Sequence, residues 1–396
     1  MKKIICFLML ITASVNGQTK YQKDFQQFWS DYNDYYAYFD ETKVDWNKVK
    51  EIYQPMADTV KSRDGFVKLL EKVINELHNG HISLNTNLDS SNRIIPSGED
   101  LFVEKKENFY VISDVKANSP AEAAGLKPGM VISKFNGKRI DEQLSAFLPK
   151  SVSKYDDKMY AYAVNMLFAG THDRAREISV AEKGSVKIFY PDKFKTEKPA
   201  ALVDFRMLEN NIGYIKVNNS LGHDDLIKEF DDALDKLFSA DAIIFDLTDT
   251  PSGGNSATAR AMMGRFISAD MPYQKHVQYE TSYHIKRSWI EYVSPHGKTY
   301  NKQLIVMVGH WTGSMGEGIA IGIDAMNRAK ITGTKMAGLI GAIDGFKAPE
   351  TNIGYQIPTE KLYHINGQPR EDFVPEYFTK TSAETWTTAL KLAAQR

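Results

Sequence analysis

The strongest constraint on the fold is an apolar run that ends in a glycine-containing turn and reopens as a helix. Leu304-Ile-Val-Met-Val308 reads as a buried strand. Ser314 then opens a segment with Ile319, Ile323 and Met326 at helical spacing. A serine between a strand end and a helix start has its hydroxyl lifted out of the sheet. It also lies beside backbone N–H groups that can stabilise an oxyanion. Those are the requirements of a nucleophile, although the same place also suits a plain N-cap. A second unit repeats the pattern. Ala242-Ile-Ile-Phe-Asp-Leu247 is a buried strand, and Gly254 to Phe266 reads as a helix. Between them, Gly253-Gly254 lets the backbone approach a substrate and aim N–H groups at it. Such a turn can also hold phosphate, but the Gly-x-x-x-x-Gly-Lys-Ser/Thr pattern is absent, which disfavours nucleotide binding. With the strand Ile212–Val217 and the amphipathic helix Asp225–Phe238, strands alternate with helices from about residue 200. The alternation predicts an α/β layered core.

Upstream the character differs. Residues 20–90 read as helical and rich in aromatics, a packed helical cap. The amphipathic helix Gly65–Leu77 ends at His78-Asn-Gly-His81, where Asn79-Gly80 is a stop or turn signal. Phe109–Val115 is a strand, Asn118 to Gly129 a capped short helix and turn, and Met130 to Arg139 a strand and tight turn. The run Ser119-Pro-Ala-Glu-Ala-Ala-Gly-Leu126, continued by Gly129 and Ile132, resembles a PDZ domain. That fold implies either capture of an extended peptide at a sheet edge or a scaffolding role. Residues 151–190 read as helical from Tyr155 to Phe168 and then extended. The expected division is a signal peptide at 1–17, a helical domain at 18–94, a PDZ-like domain at 95–150 and an α/β core at 151–396.

The composition excludes several functions. The chain has 396 residues, 42% of them hydrophobic, and a net charge of −1, so neither a nucleic-acid partner nor an acidic tail is expected. Lys2 and Lys3 precede the short apolar run Ile4–Ile11 and then small residues up to Gly17, the pattern of a secretory signal peptide cut near Gly17–Gln18. The only cysteine, Cys6, lies inside it. A mature chain without cysteine has no disulfide, thiolate metal site or cysteine nucleophile. No later apolar run is long enough for a membrane span. The expectation is an exported protein, periplasmic or extracellular.

A serine nucleophile needs a base. The residues themselves leave His81, His78, His310 or a lysine as candidates. His78 and His81 lack a third ligand at convincing spacing, and His-Glu-x-x-His is missing, so no metal site is expected; no cofactor site is seen. Thr312 stands two before Ser314, where an α/β-hydrolase elbow needs glycine.

Four blocks resemble the C-terminal processing (tail-specific) peptidases, with the tricorn core and retinoid-binding-protein repeats as relatives. They are Tyr36-Ala-Tyr-Phe-Asp40 with Val44-Asp-Trp46, Leu77-His-Asn-Gly-His-Ile-Ser83, Ile244 to Asn255, and Thr312-Gly-Ser-Met-Gly-Glu317. The resemblance implies a crotonase-like (ClpP-like) core with Ser314 as acyl nucleophile. It also implies an oxyanion hole of the Met315 N–H and one from Gly253 or Gly254. One branch of the family uses a lysine base, but here that position is Leu339. The tricorn-like branch uses a histidine, which maps to His81, and a late glutamate, which maps to Glu371 in Gly367 to Glu376. Lys335 is the fallback base, and Glu317 is expected to be a structural helix residue. Asn79 stands for the usual aspartate and Thr248 for the usual arginine, and Pro375-Glu376 replaces Pro-Asp. The expected activity is serine peptidase action on peptides or protein C-termini. The alternative is an inactive relative that binds peptides or an apolar ligand.

Overall fold

The computed structural model describes residues 18–197 and 199–395. The expected signal peptide, including Lys2, Lys3 and Cys6, lies outside the described residues.

Three helices come first: α1 (Lys20–Tyr35), α2 (Trp46–Thr59) and α3 (Arg63–Asn75). Each has a side-chain N-cap, from Thr19, Asp45 and Ser62, and each buries one aromatic or aliphatic stripe. The chain leaves the helix at His78, whose φ is +36°, so residues 76–90 are turns rather than the helix expected there. These helices do not close a core of their own. Phe28, Tyr32 and Trp46 share one cluster with Ile353, Tyr355 and Ile357, more than three hundred residues on. The buried Asp24 accepts the N–H groups of Glu350 and Thr351.

A five-stranded antiparallel sheet comes next, in the order β1 (Leu101–Lys106), β2 (Phe109–Val115), β3 (Val131–Phe135), β4 (Ile178–Glu182), β5 (Ser185–Phe189). The short helices α4 (Pro120–Ala123) and α5 (Ile140–Leu144) lie between β2 and α6 (Asp157–Ala169). The sheet and α6 share one apolar cluster containing Val103, Ile132, Phe135, Val164 and Ile178. The sheet therefore runs past the expected boundary at 150, and residues up to 189 belong to this layer rather than to the core. Arg176 ties the ends together. It is 2% exposed and bonds to Asp100, just before β1, and to Asp192, just after β5.

The rest is α/β. In chain order come β6 (Val203–Leu208), β7 (Ile212–Val217), α7 (Leu226–Lys236), β8 (Ala242–Asp246), α8 (Ser256–Gly264), β9 (Met271–Glu280), β10 (Ile285–Val293) and β11 (Gln303–Val308). After these come α9 (Met315–Ala325), β12 (Lys330–Gly333), β13 (Ala342–Lys347), β14 (Gly354–Tyr363), β15 (Tyr377–Phe378) and α10 (Ser382–Ala393). A six-stranded sheet has the order β15-β12-β11-β8-β7-β6, with β6 antiparallel to β7 and the other pairings parallel. Its strands are apolar on both faces, as a covered parallel sheet requires. Ile243, Phe245, Val306 and Val308 face the cluster that includes Phe230, Met262 and Ile319 from α7, α8 and α9. Ile244, Ile305 and Met307 face the cluster that includes Leu392 from α10. A second sheet, β10-β9-β14-β13, was not foreseen in the sequence. Its β9 packs on α9, and its β14 packs on the N-terminal helices.

Candidate active site

Neighbouring parallel strands β8 and β11 end side by side, so the two glycine-containing turns that extend them meet. They are zipped together: Thr250 N–H donates to the Trp311 carbonyl at 3.0 Å, and Gly313 N–H donates to the Thr250 carbonyl at 3.2 Å. The Thr250 and Thr312 hydroxyls both donate to the Leu247 carbonyl, at 2.9 and 2.8 Å. Open α/β sheets commonly place ligands at the carboxyl ends of such strands.

Ser314 occupies the N-cap position of α9 with φ +51° and ψ −112°. A non-glycine residue is strained there, and it persists only when its surroundings over-determine it. The buried Glu317 supplies part of that constraint. Its carboxylate accepts the Ser314 N–H at 2.7 Å and the Gly338 N–H at 2.9 Å. Gly253 supplies another part. A Cβ there would lie 2.4 Å from Ser314 Cβ, and its φ of +62° favours glycine.

His81 arrives from the other end of the chain. Asn79 Oδ1 accepts the His81 N–H at 2.9 Å and shapes the turn after α3. The residues just after it are stitched to β14, where Gln356 N–H donates to the Ser83 carbonyl and Asn85 N–H to the Gly354 carbonyl. This brings His81 Nε2 to 3.0 Å from Ser314 Oγ, across 233 residues of sequence. The other ring nitrogen, Nδ1, lies 3.1 Å from the Ile340 carbonyl oxygen. A carbonyl only accepts, so Nδ1 carries the proton and Nε2 turns its lone pair to the serine hydroxyl. Burial, reinforced by the Arg370 cation, pushes the His81 pKa down to about 4, and the ring is neutral near pH 7.

The two turns leave backbone donors beside Ser314. Met315 is the first residue of α9, so its N–H has no partner within the helix. The Gly253 N–H donates to the Thr250 carbonyl at 3.1 Å, whereas Gly254 is exposed.

The remaining candidates are not brought to the serine. Glu371 is mostly buried, with one carboxyl oxygen unpartnered, and it makes no hydrogen bond to His81 or Ser314 among the described residues. The place expected for a carboxylate on the histidine is taken by the Ile340 carbonyl. Lys335 is exposed. His310 stacks on Phe102 with ring centroids 3.7 Å apart, and His78 Nδ1 sits on its own turn, 3.1 Å from the Glu76 carbonyl. Leu339 is 4% exposed and lies between the turns of His81 and Ser314, its methyls against Gly80 and Gly313. Residues missed in the sequence are Ile340, which acts through a backbone oxygen and leaves no side-chain signal, and Arg370, which lies next to the glutamate singled out. Among the described residues, no group of three or more His, Cys, Asp or Glu is arranged to hold a metal ion.

A cavity of about 930 Å³ is lined among others by Tyr36, Gly80, Phe102, Leu339 and Glu371; Ser314 and His81 are not among its lining residues. It lies between the N-terminal helices, the five-stranded sheet and the core.

Comparison with known proteins matches residues 211–375 to peptidase family S41 and residues 18–75 to the tricorn protease C1 domain. A relative from Staphylococcus saprophyticus, named a probable CtpA-like serine protease, is 25% identical over 349 residues, covering 81% of this chain. The chain spans 63% of that curated relative's length. Among solved structures, mature CPAF aligns over 94% of this chain and 95% of its own, with a TM-score of 0.66 at 12% identity. The photosystem II D1 C-terminal processing protease aligns over 92% of this chain and 94% of its own, with a TM-score of 0.56 at 15% identity. Identities this low speak for a shared fold. Residues 211–375 are thus similar to peptidase family S41 and residues 18–75 to the tricorn C1 domain, and the relative that spans most of the chain is named a serine protease.

Proposed function

We propose that the chain is a serine peptidase in which Ser314 attacks a peptide carbonyl while His81 takes the hydroxyl proton. The observation that carries this reading is the 3.0 Å approach of His81 Nε2 to Ser314 Oγ, with Nδ1 held on a carbonyl that fixes the tautomer. In the first step Ser314 Oγ bonds to the carbonyl carbon and the proton passes to Nε2. The resulting oxyanion is met by the Met315 N–H and the Gly254 N–H. Gly253 contributes close approach instead, because its own N–H is spent on Thr250. Loss of one such donor costs about 10²–10³ in rate. The C–N bond then breaks as His81 gives the proton to the leaving amine, and a water, deprotonated by His81, cleaves the Ser314 ester to release the acid and restore the serine hydroxyl. Glu371 has no step of its own and is a wall of the cavity.

The finer assignments belong to the same proposal. Residues 1–17 are a signal peptide, and the protein acts in the periplasm or outside the cell. Residues 101–189 form a PDZ-like module, and the layered core is crotonase-like. Peptides, including protein C-termini, are the substrate class. Among the described residues, no helix is long and apolar enough to cross a membrane.

The test is labelling of the full chain with a fluorophosphonate probe, with Ser314→Ala and His81→Ala in parallel. Label on Ser314 that is lost in both variants supports the reading. A folded wild-type protein that takes no label overturns it in favour of an inactive relative that binds peptides or an apolar ligand, and Ser314→Ala that still hydrolyses peptides overturns Ser314 as the nucleophile.

A further inference from the structure

The peptidase reading explains what Ser314 and His81 do but not what holds them in register. Four consecutive residues, Gly338 to Gly341, lie between the two. Gly338 N–H donates to Glu317 Oε1, and the Ile340 carbonyl faces His81 Nδ1. The carbonyls on either side of Ile340 both point at one guanidinium. Arg370 Nη2 donates to the Leu339 carbonyl at 2.6 Å and to the Gly341 carbonyl at 3.3 Å. The same nitrogen is 3.9 Å from Glu317 Oε2, the oxygen that accepts the Ser314 N–H. Arg370 is 2% exposed and Glu317 is 0% exposed, so neither charge is diluted by water.

We propose that Arg370 is the positioning residue of the Ser314–His81 pair. Its guanidinium clamps the turn whose Ile340 carbonyl orients His81, and it balances the Glu317 carboxylate that holds the strained Ser314 backbone. This rests on the peptidase reading, which places no charged residue in this role. Both carbonyl bonds and the approach to Glu317 come from Nη2, at the far end of the guanidinium, a place that the differently shaped lysine stem and its compact ammonium do not reproduce.

The surrounding charges are consistent with one cation serving two anchors. From α9 comes Glu317, from the 3₁₀ turn at 370–372 Glu371 and Asp372, and from the stretch after α1 Tyr36, Tyr38 and Glu41. Burial raises the Glu317 pKa to about 7 even with Arg370 opposing the rise. Without the cation the rise goes further, Glu317 is protonated across the neutral range, and the Ser314 N–H loses its charged acceptor. The same cation adds to burial in keeping His81 neutral.

The experiment uses the full chain and two readouts. One is fluorophosphonate labelling resolved into its maximal rate and its binding constant. The other is the titration of His81 by NMR with labelled histidine, assigned with His81→Gln. Arg370→Met is expected to slow the maximal labelling rate about 10²-fold with little change in binding. It also moves the His81 midpoint upward. Arg370→Lys keeps the charge, so the midpoint stays near wild type while labelling remains slow. Glu317→Gln, which cannot accept both N–H groups with a charge, is slow as well. If Arg370→Met does not fold, Arg370→Lys and Glu317→Gln carry the test. Variants that lose only thermal stability, with an unmoved His81 midpoint and wild-type labelling, overturn the proposal. A wild type without label sinks the peptidase reading instead, and the His81 midpoint in Arg370→Met still decides the role of Arg370.

Discussion

At the residue scale the proposed base is a histidine held without a carboxylate. Its Nδ1 proton goes to the neutral Ile340 carbonyl, and its surroundings oppose a positive ring. Such a base gives up strength, because an imidazolium is poorly stabilised beside Arg370, but it stays unprotonated far into acid. An unperturbed histidine would be half protonated near pH 6.5. With the pKa pushed down to about 4, His81 remains a base well below that. The His81 midpoint itself, read by NMR, is therefore expected near pH 4, whereas labelling of Ser314 also follows Glu317, whose pKa burial raises to about 7. A His81 midpoint near 6.5 would show that the ring is solvated or carries an anionic partner. The sequence carried Ser314, Gly253-Gly254 and His81 because each lies in a turn at the end of a strongly patterned element. It led to Glu371 rather than Arg370 because the family resemblance places a glutamate at that position. A backbone carbonyl in that place has no side chain to read.

At the element scale, legibility followed apolar continuity. Ile212–Val217 and Phe109–Val115 coincide with β7 and β2 because both are mostly apolar with a buried face, interrupted only by Gly213 and Lys216 in the first and by Ser113 and Asp114 in the second. The hairpin β9–β10 and the strands β13 and β14 escaped notice. Their residues mix Lys275, Gln278, Lys286 and Asp344 with apolar ones, and β10 is exposed along most of its length. The reach of the five-stranded sheet to residue 189 was hidden for another reason. It depends on Arg176, which closes the sheet through Asp100 and Asp192, and no local pattern announces a pairing across 76 residues. Breaking one partner of a buried ionic group leaves the others uncompensated and costs about 3–5 kcal/mol. Arg176→Met should lose stability of that size in denaturant unfolding of the full chain. Adding Asp100→Asn and Asp192→Asn to it should restore part of the loss. If the single variant unfolds like wild type, the arginine is not what closes the sheet.

At the scale of the whole molecule, the five-stranded sheet leans on the turns that carry the chemistry. Phe102 stacks on His310, the Trp311 indole N–H donates to the Glu99 carbonyl at 3.1 Å, and Lys116 pairs with Asp249 at 2.7 Å. His310 and Trp311 lie just before Ser314, and Asp249 lies in the turn leading to Gly253, so loosening this seam disturbs both halves of the proposed oxyanion hole. The seam contains a buried carboxyl with an unpartnered oxygen, Glu99, whose pKa is pushed up to about 8 by burial and then by Asp100. A folded pKa above the unfolded value means that the fold binds the proton more tightly. The stabilisation is complete below the ordinary carboxylate range and is lost as pH rises toward 8. Alkali should therefore open the seam before the rest of the molecule. Hydrogen exchange of residues 99–116 is expected to quicken between about pH 6 and pH 9. Glu99→Gln has no proton to lose, so it should flatten that rise and leave exchange near pH 5 unchanged. Equal pH dependence in wild type and variant would place the alkaline weakness elsewhere. If instead Ser314 labelling falls in step with the exchange in wild type alone, the seam sets the geometry of the catalytic turns as well as supporting them.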